Sequence, residues 1–160
     1  MTSYGLPLIL DDKTGQLEDG SEFLDVHDRL RLTPIIPRAL AALDFGRNKA
    51  LGTISFSGVA VPMSQYLART SPLGSSSVRR FGASDGQTYQ WARRTQKNQE
   101  WTCTNVNGYV IASYSLKPAG EPEYSESSGC VLEIAEQFGN LAPEILASLW
   151  IMRHIAQYNL

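Results

Sequence analysis

Cysteine and histidine are scarce in this 160-residue chain, which holds two of each. Cys103 and Cys130 do not form a CxxC pair, and each lies in an apolar stretch, so two small buried thiols are expected rather than a disulfide. His27, between Asp25 and Asp28, and His154 have no regularly spaced partners, so neither a metal site nor a cofactor is expected. A Cys103–His154 nucleophile pair would require the two to meet in space. No glycine-rich phosphate loop occurs, because GSSS at 74–77 lacks the lysine such a loop needs. Paired carboxylates fall only in the acidic N-terminal segment, where solvation accounts for them. No catalytic residue is assigned, and the chain is expected not to be an enzyme. The first residues, MTSYGLPLILDDKTG, show neither a basic region nor a long apolar one, so no signal peptide is expected. No apolar run is long enough to span a bilayer. The corresponding expectation is an intracellular, cytoplasmic protein, at most peripheral at membranes.

What the chain does have is apolar residues, 42% of the total, with a formal net charge of only −2. That composition supports one domain over residues 1–160 with a sizeable core. The most apolar stretch is the C-terminal one. Ile145 to Met152 is interrupted only by Ser148 and is bracketed by Glu144, Arg153 and His154. Read as a helix over 141–159, with Asn140 as its cap and Pro143 in its first turn, it presents apolar side chains in every direction. A helix that is apolar all round must be enclosed by the rest of the fold.

Upstream, the periodicity is that of strands. Leu6–Leu10, a weak alternation over Phe23–His27, Lys49–Ser57 with a kink at Gly52, and Val59–Pro62 are the first candidates. Arg31–Leu40 contains Pro34 and Pro37, which confines any strand there to an edge. Residues 64–77, SQYLARTSPLGSSS, read as a mobile loop. Two hairpins follow. In VRRFGASDGQTYQWARR, a three-residue Ser84–Gly86 loop pairs Phe81 with Tyr89 and puts Phe81, Tyr89 and Trp91 on one face, with Arg80, Gln90 and Arg94 on the other. In EWTCTNVNGYVIASYSL, a two-residue Asn107–Gly108 turn pairs Trp101 with Tyr114, Cys103 with Ala112 and Asn105 with Val110, and places Val110 and Leu116 inward. Cys130–Glu136 is the last strand. Strands do not alternate with helices, which disfavours a parallel βαβ sheet. The architecture expected is mainly β: a closed antiparallel β-barrel around the buried C-terminal helix.

The runs RRFGASDGQTYQW, EWTCTNVNGYVIASYSL, GCVLEIAE and EILASLWIMRHIAQYNL resemble an uncharacterised fungal domain family. That family has the tubby C-terminal-like fold, shared with tubby proteins, phospholipid scramblases and LURP-one-related proteins. The resemblance is firmest over 78–160 and looser over 6–62. It implies about twelve strands around a central helix. By analogy with tubby proteins it also implies binding of phosphoinositide. The Cys-rich segment of scramblases has no counterpart here, and nothing matches a calcium-binding loop.

Charge is unevenly distributed. Residues 1–28 carry seven acids against Lys13, residues 29–97 carry eleven Lys or Arg against two acids, and residues 98–160 carry seven glutamates against Lys117 and Arg153. The candidate anion- or phosphate-binding set is Arg69, Arg79, Arg80, Arg93, Arg94 and Lys97, expected to gather at one rim of the barrel and to suit anionic lipid headgroups. The alternative is a protein-interaction or regulatory module that uses the 64–77 loop or the acidic 11–28 segment, with a small-molecule or hydrolase site ranking lower. Nucleic acid is disfavoured by the sequence pI near 5.7 and by the inward phase of Tyr89 and Trp91.

Overall fold

A computed structural model of the chain describes residues 8–12, 23–25 and 41–160. The expectations for His27, for an edge strand within Arg31–Leu40 and for most of the acidic 11–28 segment lie outside those residues. The first strands are β1 (Leu8–Asp12), β2 (Phe23–Asp25), β3 (Ala42–Asp44), β4 (Thr53–Phe56) and β5 (Val59–Pro62). A helical turn α1 (Met63–Tyr66) follows. Next come β6 (Ala68–Arg69), β7 (Val78–Gly82), β8 (Thr88–Arg93), β9 (Trp101–Asn105), β10 (Val110–Ser115), β11 (Cys130–Ile134) and the terminal helix α2 (Ala142–Tyr158).

Every strand pairing among these residues is antiparallel. The large sheet runs β2-β1-β11-β10-β9-β8-β7-β6, and a second sheet runs β3-β4-β5. Among the described residues the ladders do not close on themselves. The protein is therefore mainly β, with one large open sheet, one small sheet and a C-terminal helix, and the expected closed barrel of about twelve strands is not formed by these hydrogen bonds.

The helix is enclosed as its composition requires. Ile145, Leu149, Ile151, Met152 and Ile155 are fully buried. At 3.6 residues per turn, the buried positions of α2 cover more than half of its circumference. Only the sector of Leu146, Trp150, Arg153 and Gln157 holds no buried side chain. Ser148, the one polar interruption, accepts a hydrogen bond from Trp91 Nε1 at 2.8 Å and donates to the Ile145 carbonyl at 3.0 Å. The polar atom of a core tryptophan is thereby satisfied. On its other side α2 meets the β3–β4 unit: His154 stacks on Phe45 with ring centroids 4.0 Å apart, and its Nε2 lies 2.7 Å from the Lys49 carbonyl. Gly52 permits this arrangement, because a Cβ there would come within 1.8 Å of the Asp44 carbonyl oxygen.

The first hairpin follows its aromatic pattern. Phe81 pairs with Tyr89 and Arg80 with Gln90, and Gly86 takes φ +78 in a three-residue loop. The second departs from expectation. Asn105 Oδ1 accepts from the backbone N–H groups of both Asn107 and Tyr109, at 3.0 Å each, and Gly108 takes φ +81. These bonds stabilise a three-residue turn in place of the two-residue one, so Asn105 is bonded to Tyr109 rather than paired with Val110. A bulge between Val110 and Ala112 then restores the Cys103–Ala112 and Trp101–Tyr114 pairs. Its extra residue, Ile111, is buried, while Val110 is 44% exposed. Leu116, beyond the end of β10, is also exposed rather than inward.

Three further expectations need correction. Asn140 does not cap α2, whose N-cap is Leu141 after a 3-10 turn over Glu136–Leu141. Lys49–Ser57 is strand only over Thr53–Phe56, because Arg47–Lys49 forms a 3-10 turn. The segment expected to be a loop from Ser64 carries α1 residues and β6, anchored by fully buried Met63 and Leu67. Leu149→Ala should cost about 2–5 kcal/mol, the range for a buried leucine whose cavity cannot collapse. A urea titration should show the midpoint fall with an unchanged slope, and a loss below about 1 kcal/mol would mean that α2 is not enclosed.

Candidate functional site

The basic residues that look like one cluster in sequence are sorted by strand parity into different places. Arg79 lies two residues before Phe81 and shares its inward phase. It is buried, and its guanidinium bonds the carbonyls of Leu67 at 3.2 Å, Ser76 at 3.4 Å and Leu160 at 3.5 Å. Burial lowers its pKa, and the charge of Arg69 lowers it further. Arg79 is thus a structural pin and leaves the expected anion-binding set. Arg80 faces outward and donates to Gln90 Oε1 at 2.9 Å. Arg69, opposite Arg79 on β6, is exposed, as is Lys97.

Arg93 and Arg94 stay together, at the end of β8. Arg94 takes φ +53, which breaks the strand there, and its N–H bonds the Glu100 carbonyl at 3.0 Å. Both side chains turn onto the Glu100 carboxylate. Arg93 reaches Oε1 through Nε at 2.7 Å and Nη2 at 2.6 Å, and Arg94 Nε reaches Oε2 at 2.9 Å. Burial pushes the Glu100 carboxyl up, but the hydrogen bonds and charges of Arg94 and Arg93 outweigh it and hold it below the ordinary glutamate value of 4.5. Of the seven glutamates in 98–160, Glu100 is the one that pairs with these two arginines among the described residues.

Two concavities adjoin this corner and share Arg94, Glu100 and Leu116. The larger, about 670 Å³, extends past Gln99 and Lys117. The smaller, about 280 Å³, is walled by Trp101, Tyr114 and Arg153. Arg153, which charge counting had set among the glutamates, comes from α2. It bonds Asp12 Oδ2 at 3.2 Å and lies over the rings of Tyr114 at 4.9 Å and Trp150 at 4.7 Å. Asp12 is fully buried and also accepts from the Tyr114 hydroxyl at 2.7 Å. Solvation therefore does not explain this acid; an ion pair and a hydroxyl do. The i, i+4 step from Leu149 to Arg153 was the available signal that a cation stands beside the core stripe.

The remaining chemistry-bearing side chains are held apart. Cys103 and Cys130 are both free and buried, and burial pushes the Cys103 thiol up. Cys103 sits on β9 among core residues, whereas His154 is committed to Phe45 and the Lys49 carbonyl. Among the described residues no group of His, Cys, Asp or Glu could hold a metal ion, and no helix is long and apolar enough to cross a membrane. Because the Glu100 pKa is depressed in the fold, its contribution is present above pH 4.5 and lost as pH falls through the lower folded value. Wild-type melting temperature should therefore drop more steeply than that of Glu100→Gln below that pH. The variant itself should lose about 1–3 kcal/mol at neutral pH. Parallel pH profiles in a thermal melt would contradict the ion-pair assignment.

Neither a curated protein nor a solved structure matches this chain. A family model does, over residues 25–157, and it is described as a family of unknown function. The match takes in β3 to β11 whole and only the last residue of β2, as well as the Arg93–Arg94–Glu100 corner and all but the last residue of α2. The chain belongs to that family, DUF6593.

Proposed function

We propose that this protein is a non-enzymatic binding domain of tubby-like architecture. In this reading it docks on anionic phospholipid, phosphoinositide included, through the cationic end of β8. The observation that carries the proposal is the sharing of a single carboxylate, Glu100, by two consecutive guanidiniums. That leaves a local positive excess, to which Lys97 in the following turn and Lys117 across the groove add. Each cation near an anionic surface is worth roughly 1 kcal/mol, and Arg forks suit phosphate oxygens. The tubby-like reading is supported by the burial of α2 around most of its circumference. The non-enzymatic reading is supported by the use of the buried nucleophile and acid in packing: Cys103 has a raised thiol pKa, and Asp12 is bonded to Arg153 and Tyr114.

A second reading, a protein-interaction module, draws on the opposite end of β9. There the hairpin tip exposes Val106 and Tyr109, which would serve a partner protein without involving the arginines.

Sedimentation with phosphatidylcholine vesicles, with and without phosphoinositide, separates the two. Binding should require the phosphoinositide, weaken with salt and fall at least about tenfold in Arg93→Gln/Arg94→Gln, because two cations at roughly 1 kcal/mol each exceed the about 1.4 kcal/mol of a tenfold change. Val106→Ser/Tyr109→Ser should leave it unchanged. Equal binding to both vesicle types would overturn the lipid reading.

A further inference from the structure

The smaller concavity at this corner gathers three guanidiniums from two elements: Arg93 and Arg94 at the end of β8, and Arg153 on α2. Its floor is aromatic. Arg93 lies over the Trp101 ring at 5.7 Å and Arg153 over the Tyr114 ring at 4.9 Å. Stacking fixes the plane of a guanidinium and so orients its N–H fork. Asp12 holds Arg153 at 3.2 Å, and its carboxylate is fully buried, whereas Arg94 is 68% exposed. One arginine is anchored and another is open to solvent, as a site that admits a ligand requires.

Glu100 shows what such a ligand would look like. Its two oxygens are divided between the two β8 arginines, at 2.6 Å to Arg93 and 2.9 Å to Arg94. An oxyanion held between two guanidinium forks is also the arrangement that phosphate oxygens adopt. We infer that this pocket binds a phosphate monoester, free or as a lipid headgroup, and that Glu100 is a built-in competitor occupying the seat of two of its oxygens. A monoester carries about −1.5 to −2 charges at neutral pH and three acceptor oxygens. It therefore offers more to three arginines than a single carboxylate or a diester can. The adjoining 670 Å³ groove, lined by Gln99 and Lys117 among others, takes the organic remainder. This inference rests on the anion-binding reading above and narrows it to one chemical group and one seat.

The test uses the full chain with soluble and membrane probes side by side. Calorimetric titration with glycerol 3-phosphate should show saturable binding that falls about tenfold in Arg94→Gln, the loss of one charge-assisted bond. Binding should tighten about tenfold in Glu100→Gln, where the competitor's charge is gone, a direction that a merely structural role for Glu100 would not produce. Arg153→Gln should also weaken binding. Because that change disturbs Asp12 as well, the exposed Arg94 variant decides the matter if Arg153→Gln does not fold. Vesicles carrying phosphatidic acid should be preferred over vesicles of matched surface charge carrying phosphatidylserine. Absence of glycerol 3-phosphate binding, or an unchanged affinity in Glu100→Gln, overturns the pocket. If anionic vesicles still bind in that case, with phosphatidic acid and phosphatidylserine alike, the lipid reading survives without it. Binding of the soluble ester without any vesicle binding supports the pocket and removes the membrane.

Discussion

The burial of α2 is the constraint on which everything else depends. A helix with apolar side chains over most of its circumference is stable in water only inside other structure, and each enclosed Leu or Ile contributes roughly 1.5–3 kcal/mol. The large sheet supplies Trp91 and Tyr114 on one side, and the β3–β4 unit supplies Phe45 on the other. Polar groups carried in with the helix are each met: Ser148 by the Trp91 indole, His154 by the Lys49 carbonyl and Arg153 by Asp12. The Asp12 pair also joins the first strand to the last helix. It places a fixed charge behind the corner where the β8 arginines gather.

Much of this fold was legible from period and turn chemistry. The phase of Phe81, Tyr89 and Trp91 selected the register of the first hairpin, and the last strand lies where it is expected, with Cys130, Leu132 and Ile134 alternating inward. The second hairpin was misread because Asn-Gly fits a two-residue primed turn. The Asn105 side chain, bonding two backbone N–H groups downstream, tips the balance to a longer one, and a bulge absorbs the extra residue. That choice depends on a local hydrogen bond and is invisible to hydropathy. The terminal helix was placed correctly but its cap was not, because the chain enters α2 through a 3-10 turn that puts Leu141 at the boundary.

The candidate site was only half legible. Grouping basic residues by sequence proximity put Arg79 and Arg80 in one set, although adjacent strand residues must face opposite ways. The parity argument applied to the aromatics would have sent Arg79 inside. Arg153 was overlooked for the converse reason. It stands 59 residues after Arg94 and belongs to a helix read for its grease, and only the packing of α2 against β10 brings it to the same corner. Glu100 needed no distant contact, only the left-handed backbone at Arg94 that folds the chain back on itself.

The contact at Gly52 limits how this chain can vary. Even a methyl group there would run into the Asp44 carbonyl, so β3 would have to part from β4. Phe45 directly follows β3, and its ring is the surface on which His154 rests. An alanine at position 52 would thus be felt about a hundred residues later, as a loosened final turn of α2. Homologous chains that keep this packing should carry glycine at the equivalent place, however far their surfaces have drifted.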